Sequence, residues 1–469
     1  MFDILIIGAG VVGASIAREL SKYELKVGII EREPDVCMGA SKANSAIVHG
    51  GYAESSNTFK GKICYKGRVK FEQLNEELNF GYKKLGSLLL GENEDLDKLK
   101  SLEINGIKNG LNDLKIITSK EIRKLEPNIK ESFEYALYCE GAGVCSPFEY
   151  TIALIENALD NGVFLFLNEN VIDIENKEYF TIKTEKDTYR SKIIINCSGT
   201  SSEKISKMIG ANDFSISYRS GEYLVFDKTE GDKINSVLFQ MPTKLGKGVL
   251  VSKTVYGNLI IGPDALDEKS EKFETNEDRL VEIFEKSKLI SNRIDPNKII
   301  RTFAGVRVIS DNDDFIIKES SVKNFINVSG IQSPGLTSSP AIAEYVLNIL
   351  KNKGIKLNKK EDFNPYREGF GNYKKKHYDK EELICICEEK NDIDIMSCFN
   401  KKIPTNTIDG IKRRVRAGMG QCQGRRCKIK IKKLLDKNNI NIDYRTDIEV
   451  KGIKRVDRFK LIKKLISNS

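Results

Sequence analysis

At 469 residues, with 40% hydrophobic and 30% charged residues, the chain has the length and apolar content for two or three folded domains and fits a soluble globular protein, so disorder is not the expectation. No run of about 18 apolar residues occurs, so no membrane-spanning helix is expected. The formal charge of +9 conceals an asymmetry, because residues 351–469 hold 32 Lys and Arg against 16 Asp and Glu while the remainder is acidic. A basic region can meet nucleic acid, anionic lipid or an acidic protein. Trp is absent and no aromatic residues are interleaved with the basic ones, so no nucleic-acid partner is expected and the lysines read as a solvated surface.

In chain order, Phe2–Glu31 reads as strand, glycine turn, helix and strand, with the helix over about Val12–Lys22. The apolar run Ile4–Ile7 is short, follows Asp3 and leads straight into glycines, so it is a strand and not a secretory segment. A cytoplasmic protein with reduced cysteines is the expectation. Ile193–Asn196 predicts a buried strand ending at Cys197-Ser-Gly199. Alternation over Glu222–Phe226 and Gly248–Gly262 predicts an antiparallel sheet on the substrate side. Phe325–Val328 predicts a further strand, followed by Ser329-Gly-Ile-Gln-Ser-Pro-Gly335 and a helix over about Pro340–Leu350. Residues 355–380 are charged, carry Pro365, Gly369 and Gly371 with little periodicity, and read as a linker. Residues 381–440 have too few hydrophobic side chains to stand without a staple, and 441–469 reads as a basic tail.

Gly8-Ala-Gly10-Val-Val-Gly13 lies between a strand and a helix, and Glu31 closes the next strand 23 positions after Gly8. A dinucleotide needs this context. The glycines permit a tight turn and let backbone N–H groups approach a pyrophosphate at the positive end of a helix dipole, and the carboxylate accepts hydrogen bonds from ribose hydroxyls. The segment Gly39-Ala-Ser41-Lys-Ala-Asn44-Ser45-Ala-Ile-Val-His49-Gly50-Gly51 makes the chain resemble the FAD-dependent oxidoreductases that include D-amino-acid oxidase, glycerol-3-phosphate dehydrogenases and oxidases, and 2-hydroxyglutarate dehydrogenases. Within that family the nearest likeness is to large subunits of anaerobic glycerol-3-phosphate dehydrogenases. Further matches are Asn196-Cys-Ser-Gly199, Gly257-Asn-Leu-Ile-Ile-Gly-Pro263, Phe303-Ala-Gly-Val-Arg307 and Gly330-Ile-Gln-Ser-Pro-Gly-Leu-Thr337. The resemblance implies FAD held by Gly8, Gly10, Gly13, Glu31, Ser41, Asn44, Ser45, Gly199, Gly330, Ser333, Gly335, Leu336 and Thr337.

Oxidising a secondary alcohol removes a hydride from carbon and a proton from oxygen, so a base of near-neutral pKa is useful. Of the two histidines, His377 falls in the linker and is given no role, whereas His49 lies in the flavin-side motif. The resemblance implies Arg307 as the cation for a phosphate or carboxylate, a task its planar fork suits. Lys253 is a weaker candidate for the same pocket.

Five of the ten cysteines lie between 385 and 427, and the other five are scattered and read as core residues or free thiols. Cys385-Ile-Cys387 and Cys422-Gln-Gly-Arg-Arg-Cys427 are separated by 34 residues. Zinc sites favour CxxC knuckles, which these pairs are not. The spacing resembles the bacterioferritin-associated ferredoxin-like domain fused to the dehydrogenase large subunits, where a stretch like Ile408-Asp-Gly-Ile-Lys-Arg-Arg-Val-Arg-Ala-Gly-Met-Gly-Gln-Cys422 recurs. That resemblance implies a [2Fe–2S] cluster on Cys385, Cys387, Cys422 and Cys427, its negative charge offset by Arg413, Arg414, Arg416, Arg425 and Arg426.

The expectation is an α/β Rossmann-like FAD-binding domain with an antiparallel-sheet substrate domain, plus a small helical C-terminal iron–sulfur domain. The oxidoreductase domain spans 1–354, with FAD-binding parts near 1–85, 145–210 and 300–354 and substrate parts near 86–144 and 211–299. The implied reaction is oxidation of sn-glycerol 3-phosphate to dihydroxyacetone phosphate, with electrons leaving through the cluster to partner subunits that place the protein at the inner face of a membrane. The alternatives are a 2-hydroxy acid or amine substrate, a non-catalytic electron-transfer subunit, and a nucleic-acid role for the basic stretch Lys451–Lys464.

Overall fold

The computed structural model describes residues 1–241, 248–370 and 383–467; His377 and the 371–380 end of the expected linker lie outside the described residues. Ile4 to Ile7 are buried, Ile4 and Ile6 against helices on one face and Leu5 and Ile7 on the other against side chains such as Ile174, Phe180 and Ile182 of the antiparallel strands. Phe2–Ile7 pairs in parallel with Val27–Ile30 on one side and Thr188–Asn196 on the other, and Phe164–Phe166 and Phe325–Ser329 continue the parallel run at its two ends. Val171–Asn176, Phe180–Thr184 and Ile316–Glu319 add antiparallel strands, giving eight among the described residues. Helix Val11–Leu20 packs against Pro147–Asp160 and Gly335–Asn352 on this sheet.

The late helix begins at Gly335, five residues before the sequence-based start at Pro340. Proline lacks the N–H that bonds the carbonyl four residues earlier, which here belongs to Leu336. The Ser339 hydroxyl donates to the Leu336 carbonyl at 2.9 Å in its place, so the helix runs through.

The second sheet, antiparallel except where Ser87–Gly91 pairs in parallel with Val237–Phe239, has nine strands among the described residues. Its long central pair is Ile216–Phe226 with Ile299–Ser310, in register from Ile216 opposite Ser310 through Val225 opposite Arg301. Ile299–Ser310, expected with the FAD-binding parts, therefore belongs to the second sheet. Ser87–Gly91, Leu114–Thr118 and Tyr135–Cys139 form its other end.

The C-terminal part is helical, but the expected iron–sulfur domain is not indicated among the described residues. Among the described residues no group of three or more His, Cys, Asp or Glu side chains is placed to hold a metal ion. A cluster needs four thiolates converging on one centre, and Cys385, Cys387, Cys422 and Cys427 form no such group among the described residues. The staple is supplied by packing instead. Ile395, Cys398, Ile403, Ile411, Ile431 and Leu435 are buried in the same core as the parallel sheet. Nor are 355–370 a loose linker, since the buried Arg367 pairs with Glu156 and donates to the Leu78 carbonyl at 3.0 Å. The expected basic tail ends in a helix, Arg458–Ser467, whose Leu461 and Leu465 are fully buried in the core of the antiparallel sheet. Their four-residue spacing puts both on one helical face, and Lys464 on another face pairs with Glu277 and Asp278. No helix of the described residues is long and apolar enough to cross a membrane.

Candidate active site

The parallel strands end on a cavity of about 850 Å³ walled on its other side by the antiparallel sheet. Gly8, Glu31, Cys197 and Gly330, each just past a strand, all line it, which is where ligands bind in open α/β sheets. Gly8 has φ +107°, and a Cβ there lies 2.5 Å from the Cys197 carbonyl oxygen; a Cβ on Gly13 lies 2.1 Å from the Gly8 carbonyl oxygen. Gly8 thus opens the turn, and Gly13, which does not line the cavity, lets the helix sit against it. Glu31 accepts from the backbone N–H of Ala9 at 2.7 Å and of Glu33 at 3.0 Å, and burial raises its pKa.

Of the other residues assigned to FAD, Gly10, Ser41, Asn44, Ser45, Gly199, Ser333, Gly335 and Leu336 also line the cavity. The Ser41 hydroxyl accepts from the Val11 N–H at 2.9 Å at the start of helix Val11–Leu20. The Asn44 amide donates to the Ala40 and Ser41 carbonyls and accepts from Ala46 N–H, which shapes the turn and spends the side chain on it. Thr337 does not line the cavity; its hydroxyl accepts from His49 N–H at 2.9 Å and donates to the Ile47 carbonyl at 3.3 Å, tying helix Gly335–Asn352 to the strand that carries His49. Two helix N-termini therefore open on one cavity, and unpaired first-turn amides there favour an anion. The glycine cradle, the acidic residue and the two helix ends fit a dinucleotide.

His49 lines the same cavity. Its Nε2 is 3.4 Å from the Ser333 hydroxyl and its ring stacks on Phe239 at 5.9 Å. Arg307 also lines the cavity, directly across the strand pair from Arg219. Arg219 is paired with Asp267 at 2.6 Å, whereas Arg307 donates to the Asp264 carbonyl at 3.3 Å and has no carboxylate within ion-pair distance among the described residues. Lys253 is not brought to the site, because its ammonium turns to Asp232 at 3.0 Å. Sequence reasoning missed Phe239, Tyr223, Arg219 and Lys60, which also form the walls. Tyr223 stacks on Phe303 at 4.6 Å, a pair visible only once the strand register is known.

Three of the five arginines assigned to a cluster are paired with carboxylates. Arg413 and Arg414 both pair with the buried Asp35 at 2.8 Å, holding its carboxyl well below the usual range. Arg416 pairs with Glu388 at 3.0 Å and lies over the Tyr256 ring at 3.9 Å. All ten cysteines are free thiols, and the five scattered ones are buried.

Residues 3–349 match the family model described as FAD dependent oxidoreductase. A glycerol 3-phosphate dehydrogenase of Caloramator mitchellensis is 44% identical over 93% of this chain and 94% of its own length. A glycerol 3-phosphate oxidase of Mycoplasma genitalium is 33% identical over 77% of this chain and 97% of its own. The structure of dithionite-reduced L-alpha-glycerophosphate oxidase from Mycoplasma pneumoniae with FAD bound superposes with a TM-score of 0.74 at 30% identity, over 78% of this chain and 98% of that one.

Proposed function

Since the chain belongs to the family of FAD-dependent oxidoreductases, we propose that it oxidises sn-glycerol 3-phosphate to dihydroxyacetone phosphate. One observation carries the choice of substrate: Arg307 has no carboxylate partner among the described residues and lies in the cavity that His49 also lines. A half-buried guanidinium in that position is matched by a phosphate, which it can grip with two parallel N–H bonds. The names of the relatives point the same way.

Bound FAD supplies the acceptor for the hydride from the carbinol carbon. His49 accepts the hydroxyl proton, and Phe239 and the Thr337 hydroxyl hold its ring and backbone in place. The Ser333 hydroxyl, beside Nε2, gives the imidazole a neutral partner. An acceptor from outside the chain then takes the electrons; the expected [2Fe–2S] relay has no ligand set among the described residues and is withdrawn.

Mixing the enzyme with glycerol 3-phosphate without oxygen tests this directly. Bleaching of the flavin absorbance is expected, and His49→Asn slows it by about 10²–10⁴-fold. Bleaching by a 2-hydroxy acid or an amino acid and not by glycerol 3-phosphate overturns the substrate.

A further inference from the structure

We infer that the segment after residue 409 is a clasp on the dinucleotide end of the cavity, with Asp447 and Lys451 as positioning residues that govern how long FAD stays bound. The wall from Glu31 to Ser41 contributes Glu31, Arg32, Glu33, Met38, Gly39 and Ser41 to the cavity. It contains neither a helix nor a strand between Val27–Ile30 and the short turn Ala40–Lys42. Cys37 within it has φ +62°, a left-handed conformation that a side chain with a Cβ disfavours. Such a wall does not hold its shape by its own hydrogen bonds, so other parts of the chain must fix it.

Backbone bonds to Ala9 and Phe166 hold part of the wall, Cys37 N–H donating to the Ala9 carbonyl at 3.0 Å and Glu31 N–H to the Phe166 carbonyl at 2.9 Å, but the charged partners that reach Glu33, Asp35 and Lys42 from outside the wall come from beyond residue 349, where the family match ends. Arg413 and Arg414 grip Asp35 with three hydrogen bonds of 2.8–2.9 Å. Asp447 accepts from Lys42 at 2.7 Å and from Arg413 at 2.9 Å, so one carboxylate joins the wall to the clasp. Lys451, which itself lines the cavity, reaches Glu33 at 2.8 Å. Glu33 is a like charge beside Glu31, and the Lys451 ammonium offsets it next to the carboxylate expected to meet the ribose. Asp447 and Lys451 sit at the two ends of one short helix, Asp447–Lys451, whose N-terminus is closed by the Thr446 hydroxyl. That helix and the Arg413–Arg414 pair hold the wall at its two ends and its middle. On this reading FAD release is coupled to movement of the wall and to the breaking of these contacts.

The inference rests on FAD being the cofactor and not on the identity of the substrate, and its test uses no substrate. FAD release is followed from the holoenzyme by the fluorescence of the freed flavin, in parallel with melting of the apo and holo forms. Lys451→Ala is expected to speed release about threefold to tenfold. It should also lower the holo melting temperature while leaving that of the apoprotein in place, as loss of ligand affinity alone requires. Lys451→Arg restores slow release. Asp447→Asn, which loosens Lys42 and Arg413 together, speeds release further. Unchanged FAD release in both Lys451→Ala and Asp447→Asn overturns the inference. An equal fall of apo and holo melting temperatures with unchanged release does the same, since it marks a purely structural contact.

Discussion

Arg219 and Arg307 face each other across the long strand pair, and only their neighbours separate their roles. Arg219 is already paired, so an incoming anion gains little from it; among the described residues the Arg307 guanidinium is committed only to a carbonyl. Arg307→Lys keeps the charge and loses the fork, and the KM for the anionic substrate is expected to rise about tenfold, read by steady-state assay with an artificial acceptor. Gly13 is decided by space alone. With the Gly8 carbonyl oxygen 2.1 Å from any added Cβ, Gly13→Ala must push the helix off the turn, and purified protein is expected to carry substoichiometric flavin by its absorbance ratio.

At the scale of elements, helix Gly335–Asn352 shows how a local exception is stabilised. Pro340 removes a backbone donor, and Ser339 supplies another from its side chain. Ser339→Ala leaves the Leu336 carbonyl without that donor and is expected to cost about 1–2 kcal/mol in urea unfolding. The sequence pattern located this element but began it at Pro340, because proline is a start signal in most helices and the serine rescue is invisible without coordinates. The C-terminal helix teaches the opposite lesson. Leu461 and Leu465 carried an amphipathic signal four residues apart, but the surrounding lysines masked it as a basic tail. Both leucines are fully buried in the core of the antiparallel sheet, so this helix belongs to the body of the enzyme.

For the whole molecule, burial sets the pH response. Burial pushes the carboxyls of Glu149 and Glu222 up to about 7, against the hydrogen bond from Tyr256 to the first and from Asn276 to the second. A carboxyl raised in the folded state contributes stability that is full below its unfolded pKa, near 4.5, and is lost as pH climbs through about 7. Asp35 acts in the reverse sense, since Arg414 and Arg413 depress it and its contribution is lost only in acid. Glu149→Gln mimics the protonated form and should gain on the parent by on the order of 2–3 kcal/mol between pH 4.5 and pH 8, measured by denaturation at both. An unchanged difference across that range defeats the assignment.

The residue order by itself determined the nucleotide-binding half. Gly8, Gly10, Gly13 and Glu31 act through local sterics and short spacings, so their expected places are readable without knowing what lies opposite, whereas the Ser41–His49 stretch was placed by resemblance. The tertiary structure alone decided the rest, because the outcome depends on side chains distant in sequence. Lys253 turned to Asp232, Arg413 and Arg414 turned to Asp35, and the four C-terminal thiols formed no metal-binding group among the described residues. Spacing states which groups are near along the chain; only packing states toward which partner each one points.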